Sequence, residues 1–184
     1  MYLPIPETRV IAIGGPARSG KDTAAKTLLG IDPARTLCLA MSDAIAHECR
    51  LHHGMTKRDP RLLQKVGFAL RQAVPLIWLD AVYWRIDEVR PRLALITGVR
   101  FPDELAMVRA IGGQSIWVDR VREDGSFVRA TDRDLAFPTE TALTRIDFDQ
   151  LLLNPDGAEE RFRLHTLALY DRLFPAASAH AGAA

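Results

Sequence analysis

Gly15-Pro16-Ala17-Arg18-Ser19-Gly20-Lys21-Asp22-Thr23 brings glycines, a lysine and hydroxyls together at a spacing suited to holding phosphate groups. Glycines at 14, 15 and 20 let the chain turn with positive φ and wrap closely round an anion, with successive N–H groups pointing inward. A helix starting near Lys21 adds its positive end. Lys21 is then placed to neutralise charge on the β and γ phosphates of a nucleoside triphosphate. The pattern calls for Ser or Thr directly after the lysine, where a hydroxyl binds magnesium. Here Asp22 takes that slot and Thr23 follows, so these two are the expected metal residues, with contact through water. The reading makes a nucleotide, with Mg2+, the expected ligand of Gly15, Arg18, Ser19, Gly20, Lys21, Asp22 and Thr23.

Such a loop functions only between a strand and a helix, and the flanking residues predict both. Arg9 to Ile13 reads as a buried strand and Ala24 to Leu29 as a helix. Further strands are expected at 36–40, 93–97, 115–119 and near 150–153. Helices are expected over about 43–52, 61–73, 76–89, 103–111 and 158–174, with Pro75 separating two of them. Strand and helix in alternation predict an α/β fold: a three-layer sandwich around a parallel sheet of about five strands, of the P-loop NTPase kind. In such sheets ligands collect beyond the carboxyl ends of the strands. Four candidate segments fall there: 14–23, Ser42-Asp43, 98–104 and 154–157.

Length and composition narrow the class. A chain of 184 residues supports one core, so a single domain over 1–184 is expected, with 175–184 as a flexible tail. A net charge of +1 gives no general attraction to polymeric nucleic acid or to an anionic membrane. No run approaches the roughly 20 apolar residues of a membrane span, and no signal peptide is evident, so a cytoplasmic location is expected. With lysine only at 21, 26, 57 and 65, arginine supplies 20 of the 24 basic residues, a bias suited to bidentate recognition of phosphate where several converge. Two cysteines and five histidines show no metal-ligand spacing. Cys38, inside the apolar run 36–40, reads as a small core residue.

Several segments, taken in order, resemble the deoxynucleoside monophosphate kinase family, compact P-loop kinases often encoded by phages. They are Arg18 to Ala24, Leu62-Leu63-Gln64-Lys65-Val66-Gly67 running through Arg71 to Trp78, Val99-Arg100-Phe101-Pro102-Asp103-Glu104, Thr139 to Leu143, and Phe148 to Gly157. The resemblance implies a nucleoside-monophosphate-kinase-like fold. ATP sits on the loop, and a nucleoside monophosphate accepts the phosphoryl group to give the diphosphate and ADP. It implies an acceptor region over about 43–89, with Asp43, Gln64, Arg71, Trp78 and Arg100 as substrate residues. Arg100 and Arg71 would hold the acceptor phosphate. Asp43 would serve the metal or the acceptor, a role that competes with helix capping. Trp78 would stack on a base, against the alternative of a core position. A mobile lid is implied over about 119–138, with Arg129 and Arg133 on the transferring phosphates; the alternative is a mixed-charge surface loop. Asn154, Asp156 and Gly157 resemble the family's adenine-edge turn. The expected catalytic set is therefore Lys21, Arg100, Asp43, Arg129 and Arg133, and a homodimer is compatible with it.

One departure stands out. Where the family carries Asp before Val-Arg-Phe-Pro, this chain has Gly98. It motivates a second reading, a regulatory nucleotide-binding protein with weakened catalysis; a third, a P-loop kinase of another small acceptor such as a coenzyme A precursor, stands because acceptor choice lies in the helices over 43–89.

Overall fold

A computed structural model describes residues 1–129 and 135–175. Five strands form one sheet: β1 (Arg9–Gly14), β2 (Thr36–Ala40), β3 (Leu93–Val99), β4 (Gln114–Val121) and β5 (Gln150–Pro155). Their order is β2-β3-β1-β4-β5, and every adjacent pair is parallel. Seven α-helices lie among the described residues: α1 (Lys21–Leu29), α2 (Ser42–His52), α3 (Pro60–Ala73), α4 (Ile77–Val89), α5 (Pro102–Ala110), α6 (Pro138–Thr141) and α7 (Glu159–Leu173).

Side chains alternate between the two faces of a strand, and here both faces are covered. Val10 and Ala12 of β1, with Ala94 and Ile96 of β3, pack against Leu79, Val82 and Ile86 of α4 and Leu105 and Val108 of α5. Ile11 and Ile13, with Leu93 and Leu95, face the other way onto Ala24, Ala25 and Leu28 of α1 and Phe162 and Leu169 of α7. This is why the central strands read as unbroken apolar runs rather than alternating ones. A third, smaller cluster joins α2 to α3 through Ala46, Cys49 and Leu63, with Met55 from the connection.

Local chemistry sets the helix ends. Asp59 accepts from the N–H groups of Arg61 and Leu62, and Pro60 opens α3, where its missing N–H costs nothing. Val74 to Leu76, around Pro75, separates α3 from α4. The apolar run 36–40 forms the edge strand β2, but Cys38 within it is exposed, not a core residue; Cys49 is the buried cysteine. An edge strand has a neighbour on one side only, so apolar composition there does not guarantee burial.

The topology creates a crevice. β1 and β4 are neighbours, yet the chain leaving β1 crosses toward β2 while the chain leaving β4 goes to β5. The connections diverge at the carboxyl edge and leave space there. No helix among the described residues is long and apolar enough to cross a membrane.

Candidate functional site at the carboxyl edge of the sheet

The loop from Gly14 to Gly20 leaves β1 in a conformation that its residue types dictate. Gly15 has φ of 130° and Gly20 of 107°, values that side-chain-bearing residues rarely adopt. A Cβ on Gly15 would stand 2.3 Å from the Val118 carbonyl oxygen, and one on Gly20 2.4 Å from Asn154 Nδ2. Arg18 also has positive φ, 63°. Lys21 curls back over this ring and donates from Nζ to the Pro16 carbonyl at 2.6 Å. Ser19 is fully buried, and its Oγ has no hydrogen-bond partner in the protein. A buried hydroxyl without a partner costs free energy.

A cavity of 440 Å³ opens beside the loop. Arg18, Lys21, Arg71 and Arg100 all line it, and so do Asp22, Gln64, Trp78 and Gly98. With Arg58 from the connection before α3, five cations from four parts of the chain thus reach one space. Arg71 comes from α3 and is largely buried; its guanidinium carbon lies 4.1 Å from the Phe101 ring centroid. It pairs with Asp103 and, at 3.3 Å, with Glu104. Arg100, just past β3, donates to Glu140 Oε2 at 3.2 Å and to the Thr139 carbonyl at 3.3 Å. Gln64 donates to Thr139 Oγ1 at 3.2 Å, so α3 and the turn after β3 both hold α6.

A second cavity of 290 Å³ lies across the Arg100–Glu140 contact, between the ends of β1 and β4. Asp119 sits in it, 2% exposed, accepting from Trp117 Nε1 at 2.8 Å and Arg129 at 3.2 Å. Beyond Asp119 the chain continues β4 to Val121 and turns back at Gly125. Val128 N–H donates to the Arg120 carbonyl. A short hairpin therefore occupies the start of the segment 119–138. Arg133 lies outside the described residues.

The remaining expected residues fall at the same edge with other partners. Asp43 does not cap α2; its carboxylate accepts from the N–H of Ala40 at the end of β2. Thr23 is in the first turn of α1 and half-buried. Trp78 is 6% exposed and donates from its indole to the Gly67 carbonyl at 2.9 Å, while still lining the larger cavity. Asn154 donates to the Ser19 carbonyl at 2.8 Å. Asp156 pairs with Arg120, and Gly157 turns the chain into α7 with φ of 76°. Gly98 has φ of 75° and is the extra residue where the β1–β3 register slips, Ile13 facing Thr97 and Gly14 facing Val99.

Neither a family model nor a curated protein sequence matches this chain.

Three acids were absent from the expected set: Glu104, Asp119 and Glu140. Glu104 is 4% exposed and accepts from the N–H groups of Arg100 at 2.6 Å and Phe101 at 3.1 Å. Burial pushes its carboxyl up to about 7, against the opposing pull of those N–H groups and of Arg71. Their signal in the sequence was position: Glu104 and Glu140 lie in the segments quoted for the resemblance, and Asp119 ends the fourth apolar run.

Proposed function

We propose that the protein is an ATP-dependent kinase of a nucleoside or deoxynucleoside monophosphate. One observation carries this reading: the glycine loop and Lys21 open onto the same cavity as Arg71 and Arg100. Donor and acceptor phosphates are both anionic, and a site that brings them together needs cations from both sides. The 440 Å³ volume is within the range of small-ligand pockets, roughly 300 to 1,000 Å³.

In this reading the loop is a P-loop and the domain a P-loop NTPase. Loop N–H groups and the start of α1 take the triphosphate, and Lys21 exchanges the Pro16 carbonyl for phosphate oxygens. The glycines let the loop backbone close round an anion, and the partnerless Ser19 hydroxyl favours one there, since a buried unpaired hydroxyl is a cost that a ligand offsets. Arg71 and Arg100 orient the acceptor phosphate. Its oxygen attacks the γ phosphorus, the bond from that phosphorus to the β–γ bridging oxygen breaks, and ADP leaves with the electron pair. Little covalent help is required; positioning and charge neutralisation do most of it. Asp22 and Thr23 would hold magnesium, which when bound neutralises phosphate charge. Bound with a nucleotide, the ion would take its other contacts from phosphate oxygens and water rather than from a cage of protein carboxylates. The hairpin after β4 begins a lid that brings Arg129 toward the phosphates. Asn154 to Gly157 flank the nucleotide base.

Gly98 favours a second reading, nucleotide binding without transfer, because no carboxylate projects from that point of the cavity wall. ADP release, measured with ATP across the common nucleoside monophosphates, separates the two.

A further inference from the structure

Both acceptor arginines meet one buried side chain. Arg100 offers its main-chain N–H to Glu104 Oε2 at 2.6 Å, and Phe101 does the same at 3.1 Å. These bonds close the first turn of α5 in the manner of a capping carboxylate at the third helical position. The other oxygen, Oε1, accepts from Arg71 at 3.3 Å. A helix cap needs no third partner from another helix, and a capping carboxylate is ordinarily exposed, whereas Glu104 is 4% exposed. Burying a charge without pairing is expensive, and Arg71 is the cation that reaches it from α3.

Resting on the kinase reading, we infer that Glu104 is a positioning residue for the acceptor. Its carboxylate fixes the main chain that presents Arg100 and the guanidinium of Arg71 at the same time, so that the two cations face the cavity as a preset pair. Arg71 spends two donors on Glu104 and Asp103. A guanidinium has five, so it can hold a phosphate while anchored. Phe101 adds the third restraint by lying against the guanidinium face. Preorganisation of this kind lowers the cost of binding, because the side-chain entropy of two long arginines is already lost before the ligand arrives.

The groups facing Glu104 are Arg71 from α3, Asp103 beside it on α5, and the N–H groups of Arg100 and Phe101. Glu104→Gln keeps an oxygen for the N–H groups and removes the charge that holds Arg71. It therefore preserves the start of α5 and tests the pairing alone.

Calorimetric titration at about pH 8.5, above the raised Glu104 value so that its carboxylate is ionised, with the four common deoxynucleoside monophosphates tests the inference in the wild type, Glu104→Gln, Arg71→Ala and the double variant, with ATP titrated as the control. Glu104→Gln is expected to weaken monophosphate binding about tenfold, the effect of one charge-assisted hydrogen bond, while ATP affinity changes less than about twofold. In the Arg71→Ala background, Glu104→Gln is expected to change monophosphate affinity less than about twofold, because its route is already cut. Independent effects that multiply, unchanged monophosphate binding, or equal loss of ATP affinity would overturn the positioning role. Wild-type binding without turnover would reject catalysis and leave this role to be judged by the same titrations. A wild type that binds no monophosphate would overturn both.

Discussion

Asn154, near the end of β5, donates its side-chain amide to the carbonyl of Ser19 at 2.8 Å, joining points 135 residues apart in the chain. The same nitrogen lies 2.4 Å from where a Cβ on Gly20 would stand. The loop after β1 is thus shaped by the far end of the sheet as well as by its own glycines.

Asn154→Ala and Gly20→Ala act on this contact from opposite sides. Asn154→Ala leaves the Ser19 carbonyl without that donor and should cost about 1 kcal/mol. Gly20→Ala should cost more, since it adds a collision to a φ of 107°. Urea unfolding gives the stabilities and a titration with ATP the affinities. Both variants are expected to lose both, and an Asn154→Ala protein with wild-type values would show that the contact does not shape the loop.

Lys21 separates chemistry from stability. Its hydrogen bond to the Pro16 carbonyl is partly exposed, so loss of that bond in Lys21→Ala should cost about 1 kcal/mol. Turnover should fall about 100-fold or more, as when a donor to developing charge is removed. Thermal melts and ADP release on the same preparation check both parts.

Much of this arrangement was legible in the sequence, and the physical reasons differ by element. Strands β1 and β3 were legible because a parallel strand covered on both faces must be apolar throughout, as Val10 to Ile13 and Leu93 to Ile96 are. The end of helix α3 was legible from Pro75 beyond it, whereas the Asp59 cap and Pro60 at its start were not used. The hairpin after β4 was not, because Arg122 to Ser126 is polar and its pairing is main chain to main chain. The burial of Glu104 was not legible either: nothing in a charged residue's type predicts that two N–H groups and a guanidinium will enclose it. Asp43 and Asn154 engage main-chain groups that no spacing rule reveals.

Gly98→Asp tests the departure after β3. A Cβ there would meet nothing within 4 Å, so space is not the obstacle; the φ of 75° is. A left-handed conformation costs an L-residue roughly 1 to 2 kcal/mol, less for Asp than for most. The variant should therefore fold with a loss of about 1 kcal/mol by urea unfolding. A loss several times larger would mean that the bulge tolerates glycine alone. A gain in ADP release would favour the second reading, in which the missing carboxylate limits transfer.

Glu104 makes stability depend on pH in a defined direction. Its carboxyl stands at about 7 in the folded protein against an ordinary value of 4.5. Between those values the folded state holds a proton that the unfolded state has lost, so stability falls as pH rises through that interval. The full change is about 3 kcal/mol at 1.36 kcal/mol per unit. Glu104→Gln does not titrate and should lack this component. Urea unfolding at about pH 4.5 and pH 7.5 should show the wild type losing stability relative to Glu104→Gln; a constant difference between them would show that the carboxyl is not raised.

The most direct measurement is ADP release from ATP with each common nucleoside and deoxynucleoside monophosphate in turn, in the presence of magnesium. The expected result is formation of the matching diphosphate from at least one acceptor, in equal amount to ADP, and its loss in Lys21→Ala. Folded protein that binds ATP yet forms no diphosphate from any acceptor would contradict the kinase reading.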